Sequence, residues 1–235
     1  MKFVMQCSAS KDPKAGRLRT KSGDEVVFVA DPALCAPIPG VRYATPDDLC
    51  GEDGLTWRNA LKRYNEQSEN PCRLLRAAEL YAPKLNDFQK LYQDLANTFG
   101  WDNFFIFSAG WGLISANFLT PDYNITFSTQ VKKKKPWAWR NTKDKRDTWV
   151  DFNHLQNANT GKDEQIHFFG GKDYLPTFYT FVKACPGRKI VHYKGNVEQC
   201  TGFDYNKYEG SEGNRTWHYR AAKDFLEEWK ARDGY

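Results

Sequence analysis

Apolar positions along the chain follow two periods. The short runs Phe3-Val4-Met5 and Val26-Val27-Phe28-Val29 have strand length and β-branched or aromatic content, and so do segments 103–108, 165–169 and 189–193. Between them the period lengthens. Trp57, Ala60, Leu61 and Tyr64 mark one face of a helix over 56–69, closed by Pro71. Phe88, Leu91, Tyr92, Leu95 and Phe99 predict a helix over 86–99, with Gly100 at its C-terminal stop. Helices are also expected over 174–183, where Pro176 fits the first turn, and over 216–232. Segment 31–48 carries Pro32, Pro37, Pro39, Gly40 and Pro46 and reads as loop. Strands alternating with helices predict an α/β fold, with α+β as the alternative: one compact domain over 1–235 around a central, mainly parallel or mixed sheet with flanking helices. Segment 129–162 interrupts the alternation as an insertion loop, and 196–235 is a polar, Gly-punctuated loop followed by the last helix.

Composition narrows the class. Apolar residues at 40% and aromatics at 15% of 235 residues suffice for a core and exclude wholesale disorder. No apolar run reaches the roughly 18 residues that a membrane span needs, and the opening Met1-Lys2-Phe3-Val4-Met5-Gln6-Cys7 turns polar too early for a secretory signal. A cytoplasmic monomer is the expectation. Six scattered cysteines without a Cys-x-x-Cys pair, and four dispersed histidines, predict thiols rather than disulfides, no metal and no cofactor. Charge is uneven. Between Lys132 and Arg146 stand eight basic residues against Asp144, more than the chain's net charge of +5. The remainder is therefore slightly acidic, which predicts one basic patch.

Four stretches, in order, resemble the YaaA superfamily, which includes a peroxide-stress protein and uncharacterised domains of phage and mobile elements. They are Cys7-Ser8-Ala9-Ser10-Lys11; Ala78-Glu79-Leu80-Tyr81-Ala82-Pro83-Lys84-Leu85; Ser108-Ala109-Gly110-Trp111-Gly112-Leu113-Ile114 followed by Pro121-Asp122-Tyr123-Asn124-Ile125-Thr126; and Phe169-Gly170-Gly171-Lys172-Asp173-Tyr174. The resemblance spans roughly residues 3–180, and Thr201-Gly202-Phe203 extends it weakly. It implies a compact α/β-containing fold and DNA binding, but supplies no reaction. Where the family has Pro-Tyr-Asp this chain has Pro121-Asp122-Tyr123-Asn124, so the usual acid is shifted or replaced. The lysine-rich insertion has no family counterpart.

The residues themselves suggest chemistry. Ser8, Ser10 and Lys11 follow a strand end, where backbone N–H groups and an amine face an anion. Lys11 is then a phosphate clamp or a Schiff-base nucleophile, against the plainer alternative of a solvated lysine. Ser108, Gly110 and Trp111 follow the best central strand. There glycine admits a nucleotide and Trp111 offers a stacking face, unless the segment is only a tight turn with a packing tryptophan. Asp122 could stabilise an oxocarbenium-like transition state, with Asn124, Tyr123 and Tyr81 completing the pocket; otherwise the acid and amide cap a turn. Lys132, Lys133, Lys134, Lys135 and Arg140 interleave with Trp137 and Trp139, a pattern suited to phosphates and to stacked or wedged bases. Arg215 and Arg220 offer a second phosphate-contacting surface, or an ordinary helix start.

These features lead to double-stranded, base-modified DNA as the expected partner and to a DNA glycosylase that flips the nucleotide and cleaves its N-glycosidic bond, with a role in defence against phage with modified DNA. A non-enzymatic DNA-binding stress protein needs the basic patch but not the pocket. An RNA-directed enzyme is a third class, and it would depend on 2′-hydroxyls.

Overall fold

In the computed structural model, residues 1–51, 54–84, 86–144, 147–158, 161–211, 213 and 216–233 are described. In chain order the elements are β1 (Lys2–Gln6), β2 (Glu25–Val29), β3 (Val41–Ala44), α1 (Trp57–Asn65), β4 (Leu75–Arg76), α2 (Ala77–Leu80), α3 (Leu91–Phe99), β5 (Phe104–Ser108) and β6 (Gly112–Ser115). There follow β7 (Leu119–Thr120), β8 (Tyr123–Asn124), β9 (Phe152–Asn153), α4 (His154–Asn157), β10 (Gln165–Phe169), α5 (Leu175–Val182), β11 (Arg188–Tyr193), β12 (Asp204–Lys207) and α6 (Trp217–Asp233).

Seven strands form the main sheet in the order β12-β11-β10-β1-β5-β6-β9. The strands from β12 to β5 run parallel, β6 turns back antiparallel to β5, and β9 pairs parallel to β6. The sheet is mixed and the chain is a single α/β domain. Its centre, β1, β5 and β10, is almost continuously apolar because helices cover both faces. Period-two alternation divides the side chains. Phe3 stacks with Phe99 of α3 at 5.1 Å and meets Phe225 of α6 at 5.8 Å. Phe168 points the other way and stacks with Phe178 of α5 at 4.1 Å. A second, all-parallel sheet, β3-β2-β8, sets Tyr123 and Asn124 opposite Phe28 and Val29.

Several expectations shift. The helix over 56–69 is α1, capped by Thr56, and it ends at Asn65. The helix over 86–99 begins as a 3-10 turn, Asn86–Phe88, before α3; Gly100 stops α3 with φ of 90°. Strands β3 and β12 lie inside segments read as loop. The insertion is partly stitched into the fold, since β9 extends the main sheet and α4 follows it.

Arg140, expected to contact DNA, is buried instead. Its Nε and Nη2 donate to Asp147 at 2.8 and 2.9 Å, Nη1 and Nη2 donate to Asp151 at 3.0 and 2.8 Å, and Nη1 also donates to the Ala109 carbonyl at 3.1 Å. Carboxylates 7 and 11 residues further on satisfy its charge, so the guanidinium turns inward and is only 6% exposed. Burial pushes the Asp151 carboxyl up, and the Arg140 charge opposes that rise.

Replacing Arg140→Met should strand two buried carboxylates and cost about 3–5 kcal/mol of stability. Urea unfolding measures the loss. An unchanged midpoint with weakened DNA binding would return Arg140 to the role the sequence suggested.

Candidate functional site: a cationic cleft over a buried hydroxyl cluster

Beyond the carboxyl end of β1 the chain runs along a cleft of about 830 Å³. Its walls come from residues 9–17, from Pro71, Cys72 and Arg73, from Lys84, and from Asp122 and Asn124 beside β8. Six cations (Lys11, Lys14, Arg17, Arg19, Arg73, Lys84) face three carboxylates (Asp12, Glu25, Asp122), which leaves the cleft positive and suited to an anion. Among the described residues two of the cations pair with carboxylates: Arg17 bridges Asp122 at 3.2 Å and Glu25 at 3.1 Å, and Arg19 pairs with Glu25 at 3.0 Å.

Backbone pairing fixes the position of Lys11. Asp12 N–H donates to the Leu80 carbonyl at 2.8 Å, and Ala82 N–H donates to that of Ser10 at 3.3 Å, so Lys11 bridges Tyr81 in antiparallel register. Its Nζ lies 4.0 Å from the centre of the Tyr123 ring. Burial lowers the amine's pKa, while the neighbouring Cys7 and Asp122 oppose that shift.

Under Lys11 lies a cluster of buried hydroxyls. Tyr81 and Tyr123 share a hydrogen bond at 2.8 Å, and Ser108 Oγ donates to the Tyr123 hydroxyl at 2.8 Å. Ser108 Oγ in turn accepts from the N–H groups of Gly110 at 3.3 Å and Trp111 at 3.1 Å. Cys7 Sγ meets the Tyr174 hydroxyl at 3.3 Å, Tyr92 donates to the Gln6 carbonyl at 2.6 Å, and Gln6 Oε1 accepts from Gly171 N–H at 2.6 Å. Burial raises the pKa of Tyr81, Tyr92, Tyr123 and Tyr174, so these phenols stay protonated at neutral pH and serve as hydrogen-bond partners rather than bases.

The expected pocket therefore divides into two layers. Ser10, Lys11, Asp122 and Asn124 line the cleft. Ser8, Tyr81, Ser108 and Tyr123 are buried beneath it: the hydroxyls of Tyr81, Ser108 and Tyr123 satisfy one another there, and Ser8 Oγ accepts from the Ser10 N–H at 3.1 Å. Gly110 and Trp111 do not face a ligand. The carbonyls of Trp111, Gly110 and Ala109 are held by the buried guanidiniums of Arg58, at 3.2 and 3.4 Å, and Arg140, at 3.1 Å. This turns the Trp111 indole edge-on to Phe28 at 4.9 Å, in the core. A Cβ at Gly110 would sit 3.1 Å from Ile125 and 3.2 Å from Tyr123, so its lack of a side chain serves packing.

The basic loop is rooted next to the cleft. Two residues after Asn124, Thr126 N–H donates to the Ala138 carbonyl at 2.8 Å, and Arg140 N–H donates to that of Thr126 at 2.9 Å. Lys132, Lys133, Lys134 and Lys135 are exposed. The tryptophans are half-buried rather than free wedges: Lys132 Nζ lies 4.2 Å from the Trp139 ring centre and Lys135 Nζ 5.8 Å from that of Trp137. Arg220 packs its guanidinium 5.3 Å from the Phe88 ring centre, near Asp87. Arg215, and Lys145 and Arg146 of the basic run, lie outside the described residues.

Sequence reasoning missed Lys14, Arg17, Arg19, Arg73 and Lys84, and with them a second concentration of positive charge. Four cations between Lys11 and Arg19 were the available signal; summing charge over everything outside the insertion concealed it. Among the described residues, no helix is long and apolar enough to cross a membrane, and no three His, Cys, Asp or Glu side chains gather as a metal site requires. A scan against known protein families finds no matching model, and a search of curated proteins finds no match.

The Tyr123→Phe variant should lose about 1–3 kcal/mol of stability, because the Tyr81 and Ser108 hydroxyls are left buried and short of a partner. Thermal or urea unfolding measures it. Wild-type stability would mean that the cluster is not what joins these segments.

Proposed function

We propose that this chain is a YaaA-like, DNA-binding enzyme acting on a modified or damaged base, a glycosylase that flips the nucleotide and hydrolyses its N-glycosidic bond. The observation that carries the reading is the junction of two cationic features, a cleft large enough to admit a nucleotide and an exposed lysine loop anchored two residues from its wall. Three of the four stretches that resemble the YaaA superfamily contribute residues to this cleft, and the fourth reaches the buried cluster through Tyr174, which also supports the reading. The reading places the protein in the cytoplasm as a monomer, with phage-modified DNA as a natural substrate.

Each residue then has a task. Lys132 to Lys135 contact the backbone of the duplex and carry the salt dependence of binding. Lys14, Arg73 and Lys84, exposed at the cleft, receive the phosphates flanking the flipped nucleotide. Asn124 and Ser10 offer hydrogen bonds to the base edge. Asp122, oriented by Arg17, stabilises positive charge developing at C1′ as the base departs, and water adds to that carbon.

A second reading, a DNA-binding stress protein without catalysis, is favoured by one observation. None of the described residues lining the cleft is aromatic, so a flipped base would be held there without stacking.

Incubating the protein with unmodified DNA and with phage DNA carrying modified bases, and identifying released bases by mass spectrometry, separates the two. Release from one modified DNA is expected, falling about 100-fold or more in Asp122→Asn while DNA affinity stays. Replacing Lys132 to Lys135 by alanine should reduce the salt slope of binding by roughly 3 to 4. Binding to all DNAs with no base released would overturn the glycosylase and leave the binding protein.

A further inference from the structure

We propose that Lys11 is the amine of a Schiff-base lyase, condensing with the C1′ aldehyde of an abasic deoxyribose held in the cleft and then opening the strand on its 3′ side. This rests on the reading of the cleft as a DNA site. The amine differs from the lysines of the basic loop in its burial: Lys132 to Lys135 are exposed, whereas Lys11 is half-buried above the hydroxyl cluster. Its Nζ lies against the Tyr123 ring, and among the described residues it donates no hydrogen bond to a carboxylate or carbonyl. Its backbone is held on both sides by segment 80–82. A half-buried amine in such a place has less to lose on giving up its proton, and burial shifts its pKa in that direction.

The step balances without an oxidant or reductant. The neutral amine adds to the aldehyde carbon of the ring-opened sugar, water leaves, and a protonated imine forms between Nζ and C1′. A C2′ proton passes to the Asp122 carboxylate, which lines the same cleft. The C3′–O bond breaks, and its electron pair departs with the phosphate on the downstream strand. Water then hydrolyses the imine, restoring the amine and releasing an unsaturated aldehyde on the upstream strand.

The test supplies a duplex oligonucleotide with one prepared abasic site, so it needs no base release. Borohydride is added to reduce any imine, and the cross-linked peptide is identified by mass spectrometry. A covalent adduct on the peptide containing Lys11, lost in Lys11→Met, is expected. No adduct, or an adduct mapped to Lys132–Lys135, overturns the proposal, and because mapping is done on the wild-type chain the result stands even if the variant fails to fold. Trapping without base release from any modified DNA would sink the glycosylase and keep the lyase. Base release without trapping would do the reverse.

Discussion

Burying a hydroxyl without a partner costs as much as several good apolar contacts gain, and this chain buries the side chains of Tyr81, Ser108, Tyr123 and Tyr174 together, beside the thiol of Cys7. None of these groups reaches enough water to be satisfied alone. They satisfy one another, and in doing so join five places far apart in the sequence: the end of β1, the segment after α2, the end of β5, strand β8 and the start of α5. The cleft lies above this cluster, with Lys11 between the two layers: it lines the cleft, and its ammonium lies against a ring of the cluster.

Two buried guanidiniums do the same for the loops. Arg58 donates to Asp47 at 2.6 Å, and with Arg140 it holds the carbonyls of the turn after β5. The run of positive charge thus has two parts. Its root, Arg140, is an internal ion-pair hub that fixes where the loop leaves the body; its tip, Lys132 to Lys135, is exposed. The root sets the position of the tip beside the cleft.

Elements whose burial imposes a period were legible from residue order. Strands β1, β5 and β10 are apolar on both faces, and α3 carries its apolar side chains on one. Strands β3 and β12 were not, for a physical reason. β12 is the polar, largely exposed edge strand Asp204–Lys207 and owes its conformation to pairing with β11, while β3 is four residues paired to β2 amid prolines and glycine. The site was legible in the same partial way. Ser10, Lys11, Asp122 and Asn124 do share a cleft. Residue order does not tell an indole at a surface from one in a core, so it leaves Trp111 between a stacking face and a packing tryptophan, of which the structure shows the second, and it does not show which arginine meets buried carboxylates.

Under the proposed function the cleft and the lysine loop form one DNA-binding surface, and hydrogen–deuterium exchange with and without duplex DNA reads both halves at once. Residues 9–17 and 132–139 should then gain protection together, with a common dependence on DNA and salt concentration. Protection confined to the lysine loop, with the cleft segment unchanged at saturating DNA, would contradict it.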